Sequence, residues 1–234
     1  MSRPNPSRPN PSRADASRAD ASRSDASRAD AGRPGAGRRS ATLKRATKET
    51  SVSVRIDLDG SGEAEISTGL PFFDHMLAQL ARHGLMELEV EAEGDLAVDA
   101  HHTVEDTGIV LGQALREALG DKSGLRRFGS VAVPLDEALV EVALDLSGRP
   151  YLAYSVALPR DASPLGSPGF EPQLAEEFWR ALVVSAGFTL HVRSLAGRNT
   201  HHLLEASFKA VALAFRDALR REGTGVPSTK GALS

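Results

Sequence analysis

The segment HHTVE at residues 101–105 returns as HHLLE at 201–205, and each copy opens a stretch with helical periodicity. A chain that writes one histidine–carboxylate helix twice, in the same place among its other elements, is constrained to fold as two similar halves. Alternation of apolar and polar residues predicts strands at 51–58, 63–68 and 85–93, with a turn signal at Asp59-Gly60-Ser61-Gly62. Pro71 opens a helix that Gly84 stops. A second helix runs from about His101 to Leu119, with Asp99 available as its cap and Gly120 ending it. The second half repeats the order: strands at 130–134, 138–146 and 151–158, a Pro/Ser/Gly-rich loop at 159–172, and a helix at 174–186. A strand at 188–195 and a long helix at 200–221, capped by Asn199, complete it. In this alignment Asp74-His75 of the first early helix lies opposite Glu176-Glu177 of the second. The expected fold is α+β, an internal duplication of two half-domains at 41–125 and 126–234. Each is a sheet with helices on one face, and the two helix layers pack together.

Residues 1–40 stand apart. They repeat a five-residue unit (SRPNP, SRADA, SRSDA) without any large apolar side chain, so burial cannot offset the entropy of ordering them. A disordered low-complexity tail is expected there. It holds nine Arg against four Asp, which leaves −8 on residues 41–234 although the whole chain is −3. An acidic body lacks the clustered basic face of a nucleic-acid binder. With no cysteine, disulfides, thiolate metal sites and cysteine nucleophiles are excluded. No apolar run reaches the length of a membrane span, and no apolar signal core stands at the N-terminus, so a soluble, cytoplasmic protein is the expectation.

The chemistry lies in the histidine pairs. On a helix, residues i and i+4 share a face, so His101 with Glu105, and His201 with Glu205, can each grip one ion. The adjacent His102 and His202 point roughly 100° away and must serve other ligand sets. Two such helices, with one donor from each early helix, make two nitrogen/oxygen sites. Imidazole and carboxylate without sulfur suit Mn, Fe, Co, Ni or Zn, and spacing does not choose among them. A single HHxxE could be ordinary polar decoration of a solvated helix; two at equivalent positions of a duplicated chain could not readily be so.

Five stretches carry a resemblance to a known family. They are STGLPFFDHMLAQLARHG (67–84), HHTVEDTGIVLGQAL (101–115), VPLDEALVEVALDLSGRPYL (133–152), LHVRSLAGRNTHHLLEASFKA (190–210) and PSTKG (227–231). In this order the chain resembles imidazoleglycerol-phosphate dehydratase from about Arg45 to Leu233. The resemblance implies two manganese ions per active site and trimers assembled into a homo-oligomeric shell of 24 subunits, with sites completed by neighbouring subunits. It places the metal ligands at His75, His101, His102, Glu105, His201, His202 and Glu205. The eighth falls on Glu177, where many members carry histidine; His191, on a strand, is the alternative. Substrate contacts fall on Glu49, Gln79, Arg127, Arg149, Lys209, Ser228 and Lys230. Several cationic and hydroxyl donors are what a phosphate ester requires, and Lys209 shares a helix face with His201 and Glu205.

The implied reaction removes water from imidazoleglycerol phosphate to give imidazole acetol phosphate, a step of histidine biosynthesis. Glu49 is the candidate acid/base, with Asp136 of the PLDEA segment as a second. Two other classes would also use a His/Glu cluster: a binuclear metallohydrolase, and a metal-binding shell protein without catalysis. The FFDHMLAQ and PSTKG segments count against the first. A set of cationic residues fit for phosphate counts against the second.

Overall fold

The computed structural model describes residues 38–229 together with Gly231 and Leu233. The low-complexity tail up to residue 37 and Lys230 lie outside the described residues. The first half runs β1 (Ser40–Ala46), β2 (Thr50–Asp57), β3 (Ala64–Ser67), α1 (Pro71–Gly84), β4 (Glu87–Gly94) and α2 (His101–Leu119). The second runs β5 (Phe128–Leu135), β6 (Ala138–Asp145), β7 (Tyr151–Ser155), α3 (Leu174–Ala186), β8 (Thr189–Ala196) and α4 (Thr200–Ala218). Each half forms a four-stranded mixed sheet of the same topology, β1-β2-β4-β3 and β5-β6-β8-β7. In both, the last pairing is parallel and is bridged by an early helix, as a parallel connection requires. The fold is therefore α+β with two similar halves, as the repeat predicts.

The duplication is kept residue by residue in what is buried. The buried positions of α1 (Phe72, Phe73, Met76, Leu77, Leu80, Ala81) recur 102 residues later in α3 as Leu174, Ala175, Phe178, Trp179, Leu182 and Val183. Those of α2 recur in α4 at a constant spacing of 100, from Thr103/Leu203 to Ala118/Ala218. Helices of opposite halves pair across the middle, α1 on α4 and α2 on α3, so the four helices lie between the two sheets. The α2–α3 approach depends on glycine: a Cβ on Gly108 would meet the Phe178 carbonyl oxygen at 2.8 Å, and one on Gly112 that of Leu182 at 2.7 Å. Their repeat mates in α4 are Phe208 and Ala212, and Phe208 packs instead against Trp179, with ring centroids 4.5 Å apart.

Helices α1, α2 and α3 have the expected bounds. Three departures have physical causes. The strand β1 was not expected, and its repeat mate is β5; it is an edge strand with only Ala41 buried, so its alternation is faint. The ordered body consequently includes Arg39, whose guanidinium donates to Asp59 at 3.1 and 3.2 Å and to the Leu219 carbonyl at 2.8 Å. Helix α4 stops at Ala218 rather than Arg221, because the carbonyls of Ala218 and Arg220 accept from Arg127 and Arg126 on the approach to β5. Strand β7 ends at Ser155, beyond which the Ala157 amide turns to the Ser194 hydroxyl at 2.9 Å.

Candidate metal centre

Helix α4 begins on a side-chain cap. Asn199 accepts from the amides of His201 and His202 at 2.9 and 3.3 Å, which fixes where the histidine pair starts. Asp99 serves α2 likewise, accepting from the His101 amide at 2.8 Å. One turn on, His201 Nε2 lies 2.9 Å from Glu205 Oε2, and His75 Nε2, brought by α1, lies 3.7 Å from the same oxygen. These three side chains offer donor atoms all within 4.8 Å of one another, a geometry able to hold a metal ion. Lys209 closes on the other carboxylate oxygen at 2.7 Å. Burial works against the Glu205 charge, but the hydrogen bonds from Lys209 and His201 outweigh it and hold its pKa below the usual carboxylate range. Phe72 meets the His201 ring edge-on at 5.2 Å and walls the cluster from the core side.

By the constant spacings, the repeat mates of His75, His201 and Glu205 are Glu177, His101 and Glu105. His101 lies 3.5 Å from Glu105, while Glu177 leans on Arg180 at 3.5 Å. Among the described residues this second trio does not close to the same tightness. The charges explain the difference. It contains two carboxylates where the first has one, and the position matching Lys209 is Ile109, which offers no cation between them.

The second histidine of each pair turns away from the first: the rings stand at 87° for His101/His102 and 81° for His201/His202. Each is anchored through Nδ1, His102 to Asp95 at 3.2 Å and His202 to Glu137 at 2.8 Å. A carboxylate on Nδ1 fixes the ring and leaves Nε2 as the free ligand atom, the arrangement that supports a metal-binding imidazole. Glu137 also accepts from the amides of Arg198 and Asn199 at 3.3 and 2.9 Å, tying its turn to the start of α4. The hydrogen bond with His202, then that with Asn199, lower its pKa to about 2. Glu49 sits 3.8 Å from His102 Nδ1. Asp136 sits 3.9 Å from His202 Nε2, exposed and with φ at +48°. Sequence reasoning missed Asp95 and Glu137. The cue was the carboxylate pair in PLDEA, of which the second member, not Asp136, holds the ring.

The residues expected to contact substrate do not gather in one place. Gln79 bridges His83 at 3.1 Å and His75 at 3.5 Å, and Lys209 belongs to the Glu205 cluster. Arg127, Arg149 and Ser228 lie at the opposite end of α4, where the Arg127 amide bonds to the Ala218 carbonyl. Arg127 is spent on structure: two of its nitrogens clasp Asp145 at 2.6 and 3.0 Å and a third donates to the Pro227 carbonyl at 2.8 Å. Arg149 is the more exposed, 3.7 Å from Asp145. At 1.5 Å per residue, α4 separates His201 from this group by about 25 Å. His191 lies on the outer face of its sheet, paired with Ala143 and Ala153 and 5.7 Å from the Tyr151 ring, away from the helices.

No described helix is long and apolar enough to cross a membrane. The model of the family "Imidazoleglycerol-phosphate dehydratase" matches residues 68–215. The chain is 58% identical over 194 residues to the imidazoleglycerol-phosphate dehydratase of Moorella thermoacetica, covering 82% of this chain and 97% of that one. It is 54% identical to the chloroplastic enzyme of Pisum sativum over 196 residues, covering 82% and 68% of the two chains. Among solved structures, the imidazoleglycerol-phosphate dehydratase of Staphylococcus aureus superposes with a TM-score of 0.69 at 38% identity, covering 78% of this chain and 99% of that one. That of Pyrococcus furiosus gives 0.67 at 37%, covering 82% and all of it. With its two similar α+β halves matching solved members, the chain belongs to the imidazoleglycerol-phosphate dehydratase family of hydro-lyases.

Proposed function

We propose that the protein dehydrates imidazoleglycerol phosphate to imidazole acetol phosphate, in histidine biosynthesis, with two manganese ions per active site. The observation that carries the metal half is the convergence of His75, His201 and Glu205 within 4.8 Å, with a repeat-mate set at Glu177, His101 and Glu105. The donor set is nitrogen and oxygen without sulfur, which fits a divalent ion of the manganese type. His102 and His202, pre-oriented by Asp95 and Glu137 but facing away from both sets, would complete the ligand shells of neighbouring copies. Ions held there supply Lewis acidity to the substrate ring.

The rest falls to the protein. The hydroxyl on the carbon next to the ring leaves as water. The hydrogen on the following carbon leaves as a proton, and the enol relaxes to the ketone. Glu49, beside His102, would take and return that proton; Asp136, beside His202, is the second acid/base candidate. Arg149, Ser228 and Lys230 would bind the phosphate, and Lys209 and Gln79 would line the ring end. The roughly 25 Å between Arg149's group and the histidines exceeds the span of so small a substrate. Metal end and phosphate end of one site therefore come from different chains, which supports a homo-oligomer; the family resemblance suggests 24 subunits.

Manganese-loaded protein mixed with imidazoleglycerol phosphate is expected to form the ketone, and no ketone would overturn the reading. Arg149→Ala is expected to raise KM about tenfold with kcat nearly unchanged, because the phosphate it would hold does not change during the reaction. Steady-state kinetics decide this, and an equal fall in kcat would remove Arg149 from a binding role.

A further inference from the structure

Beneath Glu49 lies a polar group that the proposed mechanism does not use. Asp106, on the face of α2 one turn beyond His102, is buried, as is Thr50. One Asp106 carboxylate oxygen accepts from the Thr50 hydroxyl, and the other forms an ion pair with Arg45. Arg45 and Thr50 flank the turn that joins β1 to β2. Inside the turn, the Thr50 and Thr47 hydroxyls are 3.2 Å apart, and Thr47 Oγ1 accepts from the amides of Glu49 and Thr50 at 3.1 and 2.9 Å. A continuous path of polar contacts thus leads from α2 to the backbone of Glu49.

The duplication supplies the control. Register and helix spacing place Arg45, Thr50 and Asp106 opposite Val133, Ala138 and Ala206. All three of these are buried and apolar, and the second half closes over them with the same strands and the same helix. Even a well-buried ion pair is often no more stabilising than apolar residues of similar volume, and here only Asp106 is buried while Arg45 is half-exposed. The fold does not require the polar trio where it occurs. What distinguishes the first half is how its turn glutamate is held. The matching turn carries Glu137 opposite Glu49, and Glu137 accepts from the amides of Arg198 and Asn199, whereas among the described residues the Glu49 carboxylate has no such amide bond.

We infer that Arg45, Thr50 and Asp106 are positioning residues that fix the turn bearing Glu49, so that its carboxylate stays beside His102. This rests on Glu49 as the acid/base. The test transplants the second half's solution into the first: the triple variant Arg45→Val, Thr50→Ala, Asp106→Ala. It is expected to fold and assemble with unchanged metal content and an unchanged or higher Tm. Amide exchange across residues 47–50 should quicken about tenfold, and kcat should fall about 100-fold at little-changed KM, the effect of a misplaced reacting group. Asp106→Asn, which keeps an oxygen for Thr50, should retain more kcat than Asp106→Ala. Unchanged exchange, a kcat within about twofold of wild type, or a fall in Tm with loss of metal would each overturn the inference. Glu49→Gln is measured in parallel. If it keeps wild-type kcat, the acid/base reading itself fails, whereas a slow Glu49→Gln with a fully active triple variant sinks only the positioning role.

Discussion

Treating the metal-loaded protein with a strong chelator is expected to abolish turnover and to break the assembly into smaller particles. Each ligand set takes a histidine–carboxylate pair from the late helix of one half and a single donor from the early helix of the other, so an ion bound there would tie α1 to α4 or α2 to α3. His102 and His202 face elsewhere and are already fixed through Nδ1. If they complete the shells of neighbouring chains, every ion is also a bond between subunits. Removing it would leave two carboxylates, Glu177 and Glu105, in one ligand set with Arg180 alone beside Glu177, since Ile109 stands where Lys209 stands in the other half. Metal binding and assembly are then one equilibrium. Light scattering before and after chelation reads the mass, and readdition of manganese should restore both mass and turnover. A particle of unchanged mass would sink the structural half of this expectation.

How much of this was readable beforehand follows from the range of each interaction. Helix bounds depend on caps and breakers a few residues away: Pro71 and Gly84 bracket α1, Asp99 and Gly120 bracket α2, and Gly187 follows α3. The HHxxE pairs were legible because i,i+4 geometry is local. The anchor of His202 was not, because Glu137 reaches across 65 residues and from a turn whose neighbour Asp136 has a left-handed backbone. That local twist decides which of two adjacent carboxylates meets the ring. The anchor of His102, Asp95, is only seven residues away but sits outside the helix, in the loop before it. The strand β1 was illegible for a different reason. Its inward positions are Ala41 and the half-buried Leu43 and Arg45, too little apolar surface to stand out after an arginine-rich repeat. Arg45 is the residue the second half replaces by Val133, so the feature that hid the strand is also the one that ties it to Asp106.

Glu177→Ala is expected to lower the metal-to-protein ratio by about half, as His75→Ala does, while His191→Ala leaves it unchanged. The buried faces of α1 and α3 coincide at a constant spacing of 102 residues, which sets Glu177 opposite His75 with no freedom to slip. Glu177 is half-exposed in the first turn of α3 and, among the described residues, is paired with Arg180 at 3.5 Å, a contact an incoming ion can displace. His191 is on the far side of β8, with its sheet between it and the helices, so it cannot reach the ligand sets of its own chain. The exchange of a neutral imidazole for a carboxylate also predicts a difference in behaviour between the two sites. The anionic set should hold its ion more tightly and leave it the weaker Lewis acid. Stepwise chelation should therefore strip the His75 site first, so that Glu177→Ala protein loses its last metal at lower chelator than His75→Ala protein does. Elemental analysis after gel filtration measures both the ratios and the order. Loss of an ion from His191→Ala with full retention in Glu177→Ala would show that the two halves are paired wrongly at this position.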